Sequence, residues 1–249
     1  MWRLLKRALL WIGGAVIAGS LVFGTLIFWP NPLFAFSLGT GKIIVRSDRP
    51  IPSVGGERFL RDCENLLERS PLKANSLRYH VYIANGGWRQ RLFFLPYPDA
   101  WGITYSFAGS AFLSGANFDT GRVVHWRNVG PPYVGTPPRT LAYLCAHELT
   151  HAITWEHIGP ARFRLPGWVF EGFADYVGIE KRQSFEELWT ALGDRPVDDL
   201  MRVKFGSYPR YRMMVTYFIE KKGWSTDQLL QTRLTEEEAM QIIRAVVKR

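Results

Sequence analysis

His147-Glu148-Leu149-Thr150-His151, followed twenty positions on by Glu171, is the stretch on which the reading of this chain turns. Two histidines at i and i+4 share one face of a helix, so both imidazoles reach a single metal ion. Glu148 lies between them, beside the metal without being a ligand. A zinc ion held this way needs a third protein ligand and keeps one position for water. Glu171 is placed to be that ligand. The set predicts a zinc-activated water with a carboxylate base, which is hydrolase chemistry.

The surroundings fit a buried site better than a solvated histidine pair. The chain has five histidines, and two of them fall at this spacing. Leu141, Leu144, Cys145, Leu149 and Ala152 cluster in one sector of the helical wheel and predict the core face. His147 and His151 border that sector. Thr136 is a candidate N-cap with Pro137 in the first turn, and Gly159-Pro160 is a stop signal. A second helix is expected over Trp168-Val-Phe-Glu171-Gly172-Phe-Ala174-Asp175-Tyr176, with Glu171 and Asp175 on one face. Glycine inside a helix costs about 1 kcal/mol against alanine, so Gly172 implies a packing reason, here close approach to the metal helix. Asp175 is expected to accept the distal N–H of His147 and fix its tautomer.

His147-Glu148-x-x-His151 with Trp168-x-x-Glu171-Gly172-x-Ala174-x-Tyr176 resembles the gluzincin metallopeptidases, specifically the peptidase MA-like group. The stretch from Tyr208 to Gly223 resembles the helix that often follows in that group. The resemblance covers about residues 140 to 223; the half upstream of it carries none. It implies a zincin-like fold, one catalytic zinc and hydrolysis of a peptide or protein substrate. By position, His147, His151 and Glu171 would be metal ligands, Glu148 the general base and Asp175 the carboxylate behind a ligand. Tyr176, Tyr208, Tyr211 and His157 are the candidate donors to an oxyanion.

The 249 residues allow one membrane segment plus one domain of roughly 200 residues. At 47% hydrophobic and 14% aromatic, that domain can bury a substantial core. Arg3, Lys6 and Arg7 precede about twenty-two apolar or small residues, Ala8 to Trp29, with no charge among them. Such a run crosses a hydrocarbon layer of about 30 Å. The basic tip predicts a cytoplasmic N-terminus and a catalytic domain on the outer, periplasmic or extracellular, face. A cleaved signal peptide has a shorter apolar region of about 7–15 residues, and Ala35-Phe36-Ser37 is a poor cleavage site, so an uncleaved anchor is expected. The net charge of +9 includes three charges from the tip. The remainder can lie against anionic headgroups or form a solvated surface. Without a basic-aromatic stripe or a recognisable motif, nucleic acid is not an expected partner. Cys63 and Cys145 both lie on predicted core faces. They read either as a disulfide formed in an oxidising compartment or as two buried thiols.

The organisation predicted is a tip and anchor at 1–30, a Pro- and Gly-containing linker at 31–56, and one domain at 57–249. Within it, 57–159 forms a sheet lobe ending in the metal helix, and 160–249 a helical lobe. A helix is expected at 57–69 and strands near 78–84, 88–95, 103–107, 110–114 and 121–127, with Asn85-Gly86-Gly87 turning a hairpin. Ser184/Glu187, Ser225/Gln228 and Thr235/Glu238 read as capping boxes. Strands followed by helices indicate an α+β domain with a small, mostly antiparallel sheet. An extended substrate is expected to add to a sheet edge, around Val123–Asn128 or Ala111–Asn117. Two other readings use the same residues. One is a membrane-anchored binding or assembly protein with a structural zinc, whose fourth position a protein ligand would close. The other is a zinc hydrolase of a non-peptide amide or ester.

Overall fold

A helix of 27 residues, α1 (Trp2–Phe28), opens the computed structural model, which describes residues 2–39, 41–75, 78–125 and 139–247. Its segment Leu5–Phe28 is 24 residues long and apolar enough to cross a membrane. At 1.5 Å per residue it measures about 36 Å. Most of α1 is exposed, but one side of its last turns meets the domain. Ile27 is buried, and Phe23 and Leu26 pack against the domain.

Residues 31–56, expected to be a linker, are part of the domain. They hold β1 (Phe36–Leu38), β2 (Ile43–Ser47) and the start of α2 (Ser53–Glu68). Ile43, Val45 and Ser47 are buried at the period of two that a strand requires. The prolines that suggested a linker stand at element ends, where a missing N–H breaks no ladder or helix. Pro32 lies in a 3-10 turn after α1, and Pro52 caps α2.

The main sheet has five strands in the order β1-β2-β3-β5-β4, adding β3 (Tyr79–Ile83), β4 (Gly102–Tyr105) and β5 (Ser110–Leu113). The expected mostly antiparallel sheet is instead mixed. β2, β3 and β5 run parallel, with an antiparallel strand at each edge. The connections explain this. The chain passes from β2 to β3 through α2, and a helical crossover returns the next strand parallel. The antiparallel pairs have short connections: four residues join β1 to β2, and four join β4 to β5, with Gly109 at φ 62°. The strand expected at 88–95 is a short helix, α3 (Gly87–Phe93). β3 is already flanked by β2 and β5, so no hairpin partner fits beside it, and Phe93 and Phe94 serve as plugs under the sheet. A separate hairpin pairs β6 (Gly115–Asn117) with β7 (Arg122–Val124).

The second half is helical: α4 (Leu141–Ile158), α5 (Gly167–Gly178), α6 (Phe185–Leu192), α7 (Asp199–Phe205), α8 (Pro209–Thr216), α9 (Thr226–Gln231) and α10 (Glu236–Val247). The predicted capping boxes at Ser184 and Ser225 are both formed, and Thr235 and Glu238 exchange the same pair of bonds. α4 is the central element. It meets α2, β4 and β5 on one side and α5 on the other, and α5 packs on α8. One face of the sheet joins this helical core through Val81 and Leu113. The other face, with Tyr82 and Phe112, packs on Phe34, Phe93 and the end of α1. The domain is therefore α+β, with α4 sandwiched between sheet and helices.

A candidate metal centre between sheet and helices

α4 is buried all round: every residue from Leu141 to Thr154 is buried. The apolar stripe read from the wheel is only part of its contact surface. Thr140 caps the helix by accepting from the Tyr143 N–H, and Gly159, at φ 51°, ends it at the expected stop. Thr136 and Pro137 lie outside the described residues. Burying His147, Glu148 and His151 costs free energy unless each finds a partner.

The partner is Glu171 of α5. Its Oε2 lies 3.3 Å from His147 Nε2 and 3.8 Å from His151 Nε2. All three ligand atoms fall within 4.8 Å of one another. Ligands at about 2.0–2.1 Å from a tetrahedral zinc stand roughly 3.4 Å apart, so the spacing suits one small divalent ion. Two imidazole nitrogens and a carboxylate are a suitable donor set. Neither Nδ1 has a hydrogen-bond partner among the described residues, and each can carry the ring hydrogen while Nε2 offers its lone pair. Phe170 stacks on His151 at 4.0 Å and Tyr208 on His147 at 5.8 Å, which fixes both rings. This group can hold a metal ion.

Glu148 stands beside these atoms. Thr104 of β4 donates to its Oε2 at 2.6 Å. Burial pushes its carboxyl up to about 7, against the opposing pull of His147 and the Thr104 hydroxyl. Burial acts the same way on Glu171 but is outweighed there by the His147 hydrogen bond and both imidazoles, which hold it at about 2. Burial lowers His151 to about 3 and so keeps it neutral. For His147 burial also favours the neutral ring, but the hydrogen bond and charge of Glu171 raise it overall. One carboxylate is thus held ionised and the other is poised near neutrality.

These groups line an open cleft of about 740 Å³, whose other wall is β4 with Gly102, Ile103 and Thr104. β4 ends the sheet order, so among the described residues no strand pairs with its outer side, which lies beside the His147, His151 and Glu171 group. Neither docking strand expected from the sequence has that position. β5 is paired on both sides, and β6 and β7 pair with each other; residues 126–128 lie outside the described residues. Of the candidate oxyanion donors, only Tyr208 lines the cleft, with its hydroxyl donating to Glu171. Tyr176 donates to Glu220, Tyr211 bonds Glu236, and His157 meets the Lys73 carbonyl on the surface.

Two expectations are corrected. Asp175 does not bond His147. Its carboxylate accepts from Tyr143 at 2.5 Å and from Arg212 at 2.9 Å, all three fully buried or nearly so. A buried carboxylate demands a cation, and Arg212 of α8 reaches it first. The hydrogen-bond partner of Asp175, Tyr143, has its ring 5.8 Å from that of His147. Gly172 faces α8 rather than the metal helix: a Cβ there would lie 2.6 Å from the Tyr211 carbonyl oxygen. Gly178 makes the approach to α4, with its Cβ position 3.0 Å from the Tyr143 carbonyl.

The sequence reading missed Thr104, Gly102, Arg162 and Arg212. Gly102 leaves room for the Glu148 carboxylate, since a Cβ would sit 2.4 Å from Glu148 Oε1. Arg162 donates to Ser106 Oγ at 2.7 Å and lies over the Phe170 ring at 5.0 Å, on the cleft wall. No local signal marks any of them, because the site residues they serve, Glu148, Phe170 and Asp175, lie at least eight positions away. No known family model matches this chain, and no curated protein matches it.

Proposed function

We propose that this chain is a membrane-anchored, zinc-dependent peptidase of the gluzincin kind with a zincin-like domain. The observation that carries the proposal is the meeting of His147 Nε2, His151 Nε2 and Glu171 Oε2 in an open cleft, with buried Glu148 alongside. A zinc ion bound there would acidify water toward pH 7 and polarise a carbonyl. Glu148 takes the proton as water attacks the carbonyl carbon and returns it to the leaving amine. Burial raises its proton affinity and so favours taking up that proton. Thr104 holds the carboxylate in place. Tyr208 offers its hydroxyl to an oxyanion once the substrate displaces it from Glu171. The outer side of β4 offers an extended peptide a row of backbone partners along the cleft. The basic tip orients α1 with its N-terminus in the cytoplasm and the cleft on the outer face. A purely structural metal would have its fourth position closed by protein, and no fourth His, Cys, Asp or Glu joins the group among the described residues.

The test uses the full chain in detergent. The protein should carry one zinc and cleave members of a peptide library. Glu148→Gln should retain the zinc and lose hydrolysis by at least about 100-fold, the usual range for a general base. His147→Ala should lose the metal. Full activity in Glu148→Gln would overturn the assigned base, and unchanged zinc in His147→Ala would overturn the ligand set. Cleavage of a non-peptide amide alone would reassign the substrate.

A further inference from the structure

We infer that the rim of the cleft is a membrane-docking surface, and that the substrate is a chain segment lying at the outer surface of the bilayer that α1 crosses. The inference rests on α1 as a membrane anchor and on the peptidase reading of the cleft. Its first support is how α1 enters the domain. No free linker separates the two. Phe23 packs edge-on against Tyr105 with ring centroids 6.3 Å apart, and Phe28 meets Phe107 at 5.5 Å. Phe23 lies five residues before Phe28, so roughly 7.5 Å deeper along the helix. Both belong to the apolar span Leu5–Phe28. Tyr105 and the β4–β5 turn must then lie at the level of the span's outer end. Thr104, next in the chain to Tyr105, holds Glu148. The catalytic base is thus only a few residues from the bilayer surface.

The second support is what the rim exposes. Trp29, Trp88, Leu95, Tyr97, Phe107 and Phe163 are each more than half exposed. Several of them lie at the end of α1 or along the cleft. Phe107 touches Phe28; Trp88 adjoins Arg89, which donates to the Leu33 carbonyl just after α1. Tyr97 lines the cleft itself. Arg162, on the cleft wall, bonds Ser106 beside Phe107 and lies over the Phe163 ring at 4.9 Å. Aromatic rings bordered by arginines suit the headgroup layer, where the rings enter the acyl boundary and the cations meet phosphate. In water the same surface would be an exposed apolar patch of the kind that marks an interaction site. Residues this close to a span have the bilayer itself as the nearest apolar partner.

The experiment places one nitroxide label on the full-length protein in phosphatidylcholine vesicles containing a minor share of phosphatidylglycerol. Labels go on Phe107→Cys, Phe163→Cys, Ile17→Cys in α1 and Val54→Cys in α2. Cys63 and Cys145 are fully buried and do not compete. Collision with oxygen, which favours lipid, is compared with collision with a water-soluble nickel chelate. Labels at positions 107 and 163 should favour oxygen several-fold more than the label at 54. If they match position 54 while position 17 reports lipid, the docking inference is wrong and the anchor stands. Should position 17 also report water, α1 is no anchor and the inference falls with it. Shielding of 107 and 163 from both reagents would indicate a protein partner and overturn the lipid assignment.

Discussion

Glu148 and Gly102 face each other across the gap between α4 and β4, and the space is filled by the carboxylate. Gly102→Ala would place a methyl where Glu148 Oε1 stands, so the base must move. Displacing a catalytic group by about 1 Å costs on the order of 100-fold in rate. We expect that loss in kcat, with zinc content unchanged, measured on the same library peptide as the wild type. Thr104 gives a prediction with a sign. Its hydroxyl stabilises the ionised Glu148, opposing the burial that raises the carboxyl to about 7. Removing the hydroxyl raises the proton affinity further. A cation in the site lowers it, so the wild-type acid limb should fall below about pH 7. In Thr104→Val that limb should move to higher pH, and a limb that stays or moves down would contradict the role given to Thr104. The pH dependence of kcat/KM is the measurement.

Close helix packing carries the site at the scale of elements. α5 supplies Glu171 from one face while Gly172 lets α8 approach from another. In Gly172→Ala the new methyl meets backbone, which cannot rotate away. Overpacking of this kind costs about 1–3 kcal/mol, and the melting temperature should fall even though alanine is the better helix former. α2 and α4 are joined through Cys63 and Cys145, whose sulfurs lie 2.8 Å apart as free thiols. We expect a disulfide when the protein is made in an oxidising compartment. Closing a loop of 82 residues is worth about 4.5 kcal/mol in chain entropy. Intact-mass analysis after alkylation reads the pairing, and reduction should lower the melting temperature.

For the whole molecule, the C-terminal end of α1 packs on the domain through Phe23, Leu26 and Ile27. Phe34 is almost fully buried under the sheet, and β1 extends the sheet beyond β2. A fragment starting at residue 40 lacks both. Loss of a buried phenylalanine alone costs about 3–5 kcal/mol. We expect that fragment to melt well below one starting at residue 30, and a fragment of equal stability would show the N-terminal segment to be dispensable. The attachment also fixes the cleft relative to α1, so the orientation proposed for α1 carries with it the orientation of the cleft.

Much of the candidate site was legible in the sequence because it is local. His147, Glu148 and His151 share one helical turn, and their common face follows from backbone period alone. The apolar run of α1, the capping boxes and the stop at Gly159 are likewise decided within a few residues. What lay beyond reach depends on which elements become neighbours. The strands in 31–56, the parallel centre of the sheet and the helix at Gly87–Phe93 follow from pairings between segments far apart in the chain. Asp175 could be placed on the right helix face, yet its partner is set by competition. Arg212, 37 positions later, reaches the buried carboxylate with a full charge, which an imidazole N–H cannot match. Spacing along one helix specifies which side chains can meet a metal. Only the folded chain selects the edge strand, the glycine gap and the hydroxyl that surround it, because burial and contact are properties of the assembled layers.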